Sequence, residues 1–212
     1  MSSAVDPVLV LVLLLNFYVV GTSRLHAVIN GVALQGAVLG VLALLVHSGS
    51  VLSVLVALAT ILLKGLLMPM MLRRAMREAS IRREVEPFID YVPSLLAVAV
   101  ATGASFAFAR RLPLAPQHVG SLLVPASLAT VGTGFLVLAT RRKAITQAAG
   151  YVVLENGVFV LGVGLLEAMP FLVEVGVLLD LFVAIFVMGI IIYQVNREFA
   201  SLDTARLSNL KE

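Results

Sequence analysis

Residues 51–72 read VLSVLVALATILLKGLLMPMML, a continuous apolar stretch whose one charged residue is Lys64. The hydrocarbon core of a bilayer is about 30 Å thick, and a helix that rises about 1.5 Å per residue crosses it in roughly 20 apolar residues. This stretch therefore has the length and composition of a transmembrane helix. The whole chain has a similar character, because it is 60% hydrophobic and only 13% charged, whereas soluble domains carry about 25% charged residues.

Six further segments meet the same requirement, so the sequence predicts an all-α, polytopic membrane protein with seven transmembrane helices. The amino terminus has neither the basic n-region nor the A-x-A-like cleavage site of a signal peptide, and the first segment is predicted to be retained as a helix. The predicted helices are at residues 7–21, 25–46, 51–72, 91–109, 119–140, 144–166 and 170–193.

Basic residues are unevenly divided between the two ends of these helices. Twelve fall on one side of the predicted membrane and two, Arg110 and Arg111, on the other. Cytoplasmic loops carry the excess of Lys and Arg, which predicts an amino terminus outside and a carboxyl terminus in the cytoplasm. The twelve are Arg24, Arg73, Arg74, Arg77, Arg82, Arg83, Arg141, Arg142, Lys143, Arg197, Arg206 and Lys211.

Two polar segments lie on the side predicted to be cytoplasmic. The connector between the third and fourth helices, RRAMREASIRREVEPFID, has mixed charge and is interpreted as a solvated loop, with a docking surface for a partner protein as the alternative. The chain is thus divided into helices one to three (1–72), the connector (73–90), helices four and five (91–140), helices six and seven (141–193) and a tail (194–212).

Three ionisable residues are predicted near the middle of their helices: Lys64, Glu155 and Asp180. A charge at the centre of a transmembrane helix costs about 2.5–3.5 kcal/mol on insertion scales, and such groups usually mark an ion or proton path. An apolar residue would fill the same volume without that cost. The alternative is a buried structural ion pair, for instance Lys64 with Asp180, that holds the helices in register.

Polar neighbours extend the proton-path hypothesis. Gln147, Tyr151 and Glu155 recur at i, i+4 and i+8 and share one stripe of the sixth helix, which predicts either a water wire or ordinary interhelical hydrogen bonding. Glu174 is predicted to lie one turn inside the outer end of the seventh helix. It is interpreted either as the proton exit or as a carboxylate that extends to the membrane interface. The predicted relay comprises Lys64, Glu155, Asp180, Glu174, Tyr151 and Gln147.

Local backbone features are also predicted. Pro69 lacks an N–H and frees a carbonyl near position 65, which produces either a hinge beside Lys64 or a plain kink. Gly36-x-x-x-Gly40 permits close approach to a neighbouring helix. Asn16, Asn30 and Gln35 are interpreted as interhelical hydrogen-bonding groups. Further packing positions are predicted at Ala97, Ala99, Ala101, Gly103, Ala104, Gly157, Gly162 and Gly164.

Several functional classes find no support in the residues. The chain has no cysteine, which excludes disulfides, cysteine-ligated zinc, iron–sulfur clusters and thiol catalysis within it. Its histidines, His26, His47 and His118, are far apart in sequence and predict neither a metal cluster nor a haem pair. There is no nucleophile elbow, P-loop or dinucleotide fingerprint. We therefore expect no cofactor in this chain and no nucleic-acid partner.

Four stretches of the sequence resemble a known family. They are GYVVLENGVFVL (150–161), EVGVLLDLFVAIFVMGIII (174–192), SLDTARLSNLKE (201–212) and, in weaker support, LLKGLLMPMMLRRA (62–75). Together they resemble component E of hydrogenase-4, a membrane subunit of complex I-related, energy-converting hydrogenase and formate hydrogenlyase-type assemblies. The last third also resembles the three-helix K-type subunit of complex I and the C-type subunit of cation/proton antiporters. Glu155 matches the first membrane carboxylate of that subunit, and Asp180 stands near the second.

The resemblance implies a multi-pass subunit of a proton-translocating membrane arm in a prokaryotic plasma (inner) membrane. It further implies that the chain is a non-catalytic part of an oxidoreductase complex. Its partners would be larger antiporter-like membrane subunits and peripheral hydrogenase-type subunits, which would hold the NiFe centre and the Fe–S clusters. Two other hypotheses stay open: a purely structural subunit that bridges the antiporter-like chains, and a stand-alone secondary transporter.

Overall fold

The apolar segments form helices in a computed structural model that describes residues 4–46, 51–78, 87–113, 121–165, 189 and 193. All regular elements in this part of the chain are helices, so the predicted all-α fold class is confirmed there. The third helix is continuous but changes its hydrogen-bonding pattern twice. The helices are α1 (Val5–Gly21), α2 (Leu25–Val46), α3 (α-helical Val51–Thr60, π-helical Ile61–Leu67, α-helical Met68–Glu78), α4 (Tyr91–Ala109), α5 (Leu123–Thr140) and α6 (Ala144–Leu165).

Four of these helices are long and apolar enough to cross a membrane. They are α2, α4, α5 and, as far as Val163, α6. α1 is equally apolar but has 17 residues, and α3 is divided by its π-helical turn. Helices of this length and hydropathy in one chain are typical of membrane proteins.

Some helix boundaries differ from the prediction. α1 begins at Val5 and α5 at Leu123, whereas residues 7 and 119 were predicted. α3 continues through Glu78, six residues beyond the predicted end at residue 72, so the first six residues of the predicted connector 73–90 are helical. The helix continues because Ala75 and Met76 are buried one turn beyond Leu72 and extend its packed face. The predicted seventh helix, 170–193, lies outside the described residues except at Gly189 and Tyr193.

Two apolar clusters fill opposite halves of the bundle. One combines the ends of α1 and α3 with the beginnings of α2 and α6. The other combines the beginnings of α1 and α5 with the ends of α2 and α6 and with Ala57 of α3. Between the clusters, α1, α2, α3, α5 and α6 contribute buried polar side chains near their middles, which we call the polar layer. Its residues are Asn16, Gln35, Lys64, Thr130, Glu155 and Asn156.

Glycines bring α2 and α3 together at the polar layer. A Cβ atom on Gly36 would lie 2.7 Å from the carbonyl carbon of Lys64, and one on Gly40 would fall on the side chain of Ile61. The predicted Gly36-x-x-x-Gly40 packing motif is therefore confirmed, with the π-helical turn as its partner. Only a residue without Cβ lets the two backbones approach this closely.

α5 and α6 approach each other in the same way. A Cβ atom on Gly134 would fall on the backbone of Leu154, and one on Gly157 would lie 2.6 Å from the backbone nitrogen of Val131. The sequence predicted a packing role for Gly157 but not for Gly134. Gly134 and Gly157 lie beside the part of α6 that carries Glu155 and Asn156 into the polar layer. Close packing of α5 against α6 therefore sets the position of these two side chains.

α4 lies at the edge of the described bundle. Only 17% of its apolar window is buried, against 61% in each of the other three membrane-length helices. A Cβ atom on Gly103 would meet nothing within 4 Å, and Ala99 and Ala104 are exposed as well. The predicted packing role is therefore wrong for Ala99, Gly103 and Ala104 in the described part of the chain. It holds for Ala101, whose Cβ would lie 3.8 Å from a Cβ atom placed on Gly132 of α5.

Candidate functional site

A charge pair lies within the polar layer. Lys64 Nζ donates a hydrogen bond to Glu155 Oε1, and the two residues are only 2% and 3% exposed. Lys64 Nζ also lies 5.0 Å from the centroid of the Phe159 ring, one turn beyond Glu155 on α6. Two of the three charges predicted at mid-depth are thus brought together. Asp180, which the sequence offered as an example of a partner for Lys64, lies outside the described residues.

The position of Lys64 depends on the π-helical turn of α3. In this turn the Met68 N–H donates to the Leu63 carbonyl, five residues earlier, instead of four as in an α-helix. Pro69 follows immediately and cannot donate. The distortion expected beside Lys64 therefore takes the form of a π-helical turn, a feature that often occurs at functional sites.

A chain of amide side chains crosses the layer beside the charge pair. Thr130 Oγ1 donates to the Ala126 carbonyl at 2.7 Å and accepts from Asn16 Nδ2 at 2.9 Å. Asn16 Oδ1 accepts from Gln35 Nε2 at 2.9 Å, and Gln35 Oε1 accepts from Asn156 Nδ2 at 3.1 Å. The interhelical hydrogen bonding predicted for Asn16 and Gln35 is therefore confirmed. Hydrogen bonds that share groups in a low-dielectric interior polarise one another.

The amide chain and the charge pair have different chemical capacities. Carboxamide side chains do not titrate, so Asn16, Gln35 and Asn156 position the helices rather than exchange protons. Within the polar layer, only Lys64 and Glu155 have ionisable side chains. Asn156 donates to Gln35 and follows Glu155 directly, so the amide chain fixes the part of α6 that carries the carboxylate.

Replacing Gln35 by leucine is expected to lower the free energy of unfolding by about 1–3 kcal/mol. The substitution removes the donor to Asn16 and the acceptor for Asn156 at fully buried positions. Unfolding of the purified protein in mild detergent measures the effect. Asn30→Leu is the matched control, since Asn30 is an exposed amide on the same helix with a bond to Arg73. Equal losses in the two variants would contradict the role of the amide chain.

The remaining predicted relay residues have separate surroundings. Gln147 Nε2 donates to the Arg141 carbonyl at 2.9 Å, which links α6 to the loop before it. Tyr151 is half-buried against the apolar cluster at the beginning of α6. Both lie on the same helix as Glu155, as the spacing predicted. Glu174 lies outside the described residues, so its role stays a prediction.

Arg141 was predicted to lie in a short basic loop, and the structure buries it. Its Nη2 donates to the Val20 carbonyl at 2.9 Å, and its guanidinium carbon lies 5.3 Å from the centroid of the Tyr91 ring. Burial lowers the pKa of the Arg141 guanidinium from its ordinary value, with an opposing electrostatic effect of Tyr91. Arg141 thus joins α5 to the end of α1 and the beginning of α4. The sequence offers no signal for this role of Arg141, because two further basic residues follow it and nothing in the local pattern distinguishes it from them.

Comparison with known proteins gives one informative match. No protein-family model matches the chain, and no solved structure matches it. A protein of Mycobacterium tuberculosis, "Uncharacterized protein Rv0085", is 31% identical over 202 residues, which cover 94% of this chain and 92% of that protein. The chain belongs to the Rv0085 family. Because the alignment spans nearly the full length of both proteins, membership in the Rv0085 family concerns the whole chain rather than one segment.

Metal-binding chemistry has no candidate in the described part of this Rv0085-family chain. No group of three or more His, Asp or Glu side chains there is placed to hold a metal ion. The name of the Rv0085 protein states no activity.

Proposed function

We propose that this chain is a membrane-arm subunit of a complex I-related, energy-converting hydrogenase-type complex, and that its Lys64–Glu155 pair takes part in proton translocation. The observation that carries the proposal is an acid and an amine in direct contact at mid-depth, almost fully removed from solvent. The likeness of residues 150–161 and 62–75 to hydrogenase-4 component E adds support, because these two stretches contain both members of the pair.

Apolar side chains could fill the space that Lys64 and Glu155 occupy. Each charge costs about 2.5–3.5 kcal/mol to place at the centre of a transmembrane helix. Replacing a buried ion pair by apolar side chains of similar size is often neutral or stabilising. Packing alone therefore gives no reason for a lysine and a glutamate at positions surrounded by two apolar clusters. Proton exchange supplies a reason for both charged side chains.

The pair works as a two-state element in this proposal. In contact, each charge stabilises the charged form of the other. A proton that reaches the carboxylate of Glu155 cancels its charge and leaves the Lys64 ammonium without a counter-charge. The ammonium is then driven to release a proton or to move. The π-helical turn that carries Lys64 offers a local change of hydrogen-bond register for such a movement.

The other predicted residues extend the relay in both directions. Tyr151 and Gln147 lie on α6 towards the basic end of the bundle and would form the entry. Asp180 and Glu174, outside the described residues, would continue the path and form the exit. Redox chemistry would take place in the NiFe centre and Fe–S clusters of peripheral partners, and larger antiporter-like subunits would lie alongside in the membrane.

The proposed topology has seven transmembrane helices in a prokaryotic plasma membrane, with the amino terminus outside. The distribution of basic residues along the bundle supports it. Arg141 bonds to the end of α1 and Arg73 to the beginning of α2, so these arginines mark one end. Arg110 and Arg111 follow the last residue of α4, whose first residue lies beside Arg141. The more basic end would face the cytoplasm.

Proton translocation by the reconstituted parent complex tests the proposal. The variant Lys64→Met/Glu155→Gln removes both charges while keeping side chains of similar size, so the complex should assemble. We expect protons translocated per turnover to fall at least tenfold, measured with a pH-sensitive dye in liposomes. Asp6→Asn is the control, since it neutralises an exposed carboxylate at the beginning of α1. Normal pumping by the assembled double variant would refute the relay role.

A second candidate is a purely structural subunit that bridges the antiporter-like chains. The amide chain favours it, because α1, α2, α5 and α6 are already joined by hydrogen bonds at the same depth. A structural pair would make Lys64→Met and Glu155→Gln either silent or harmful to assembly. It would never leave an intact complex that turns over without pumping.

A further inference from the structure

A cavity of about 630 Å³ opens between the beginning of α2 and the last three turns of α3. It lies at the end of the bundle where basic residues are concentrated. None of the described residues that line it is acidic. One part of the lining is basic and the other is apolar, so the cavity has the amphiphilic character of a headgroup site rather than that of a packing defect.

The basic part of the lining comes mainly from one stretch of helix. Arg73 and Arg77 lie on the same face of α3 at i and i+4, with Arg74 beside them and His26 opposite on α2. Arg73 Nη2 donates to Asn30 Oδ1 at 2.9 Å, which holds this guanidinium towards α2. A guanidinium presents parallel N–H groups that match two oxygens of a phosphate. The lining therefore concentrates the donors that phosphate recognition requires.

The apolar part of the lining continues towards the middle of the bundle. Leu67, Met70 and Met71 line the cavity below the arginines. Leu63 and Leu67 are exposed along the same side of α3, at 40% and 43%, and Met70 is 53% exposed. Their spacing of i, i+4 and i+7 forms one continuous stripe. An acyl chain lying on this stripe would lead directly to the arginines.

We propose that this cavity binds the phosphate of an anionic phospholipid, with an acyl chain of that lipid on the Leu63–Leu67–Met70 stripe. The stripe distinguishes a lipid from soluble phosphate esters, which have no apolar part to cover it. Basic pockets beside transmembrane helices on the cytoplasmic side recognise lipid headgroups in this way. The site does not involve the Lys64–Glu155 pair, so it stands or falls independently of the proposed proton relay.

Lipid binding to the full chain in neutral detergent tests the site. Native mass spectrometry would count phosphatidylglycerol molecules retained per chain during titration, with phosphatidylcholine as the zwitterionic comparison. We expect a clear preference for phosphatidylglycerol. Arg77→Gln should weaken its binding about fivefold and Arg73→Gln/Arg77→Gln about 30-fold. Arg110→Gln/Arg111→Gln is the matched control, because it removes two exposed arginines that follow α4 at the end of the bundle opposite the cavity. Phosphatidylglycerol binding by this variant should stay within about twofold of wild type.

Three outcomes would overturn the proposal. One is equal binding of phosphatidylglycerol and phosphatidylcholine by the wild-type chain. Another is an equal loss in the control variant, which would assign the preference to overall charge. The third is displacement of the bound lipid by inorganic phosphate at millimolar concentration, which would show that the cavity recognises free phosphate and that the apolar stripe has no part in binding.

Discussion

Glu155→Leu alone is expected to lower the free energy of unfolding by about 3–5 kcal/mol, the largest loss we expect from any single change in the polar layer. The substitution leaves the Lys64 ammonium buried between two apolar clusters without its carboxylate partner. The Phe159 ring offsets only a small part, since a cation–π contact contributes about 0.5–2 kcal/mol and is already present in the wild type. Unfolding in mild detergent measures the loss.

The double variant Lys64→Met/Glu155→Leu should recover stability to within about 1 kcal/mol of the wild type, because it removes the uncompensated charge. The two single variants and the double variant form a thermodynamic cycle, and we expect a coupling free energy of about 3 kcal/mol or more. Asp6→Leu, at an exposed position, controls for the loss of a carboxylate. Additive losses would mean that the two charges are not paired as described.

Gly134→Ala is expected to lower the free energy of unfolding by about 1–3 kcal/mol or more, because overpacking forces helices apart. The new methyl group would fall on the backbone of Leu154, which cannot move aside as a flexible side chain can. α6 would have to shift, and the shift would reach Glu155 and the charge pair. Thermal unfolding of the purified protein in mild detergent would report the loss.

Gly103→Ala is the matched control for this prediction. The chemical change is identical and also lies within a membrane-length helix, but the new methyl group meets nothing within 4 Å. Alanine has a higher helix propensity than glycine by about 0.5–1 kcal/mol, so this variant should be as stable as the wild type or slightly more stable. Similar losses at Gly134 and Gly103 would show that close α5–α6 packing does not distinguish the two sites.

The helical architecture and the mid-depth charges follow from local sequence, which explains why they were predictable. A charged residue inside an apolar run, such as Lys64 or Glu155, is visible without any knowledge of contacts. So is the Gly36-x-x-x-Gly40 motif, because small residues at i and i+4 share one face of a helix. The choice of Glu155 as the partner of Lys64 was not predictable, since it depends on how α3 and α6 are placed around α2.

Three predictions failed for physical causes of the same kind. Small residues in α4 resemble a packing face, but alanine and glycine also occur where a helix borders lipid, and only the neighbours distinguish the cases. Arg141 resembles any basic loop residue. Its burial depends on carbonyl groups contributed by Val20 and Ile89, which are distant in sequence. The extension of α3 to Glu78 was missed because the charges of 73–78 concealed the buried residues between them.

The location of the polar layer restricts how the helices can move relative to one another. A longitudinal slide of one helical turn, about 5.4 Å, would carry Asn16 or Gln35 out of reach of its partner and into hydrocarbon-like surroundings. A piston motion of α1, α2, α5 or α6 is therefore opposed by the loss of several buried hydrogen bonds at once. Lys64 joins α3 to the layer through its hydrogen bond to Glu155, and α3 contains the π-helical turn beside it. Among the described helices, a local twist or bend is thus opposed least at the π-helical turn of α3, while α1, α2, α5 and α6 stay in register.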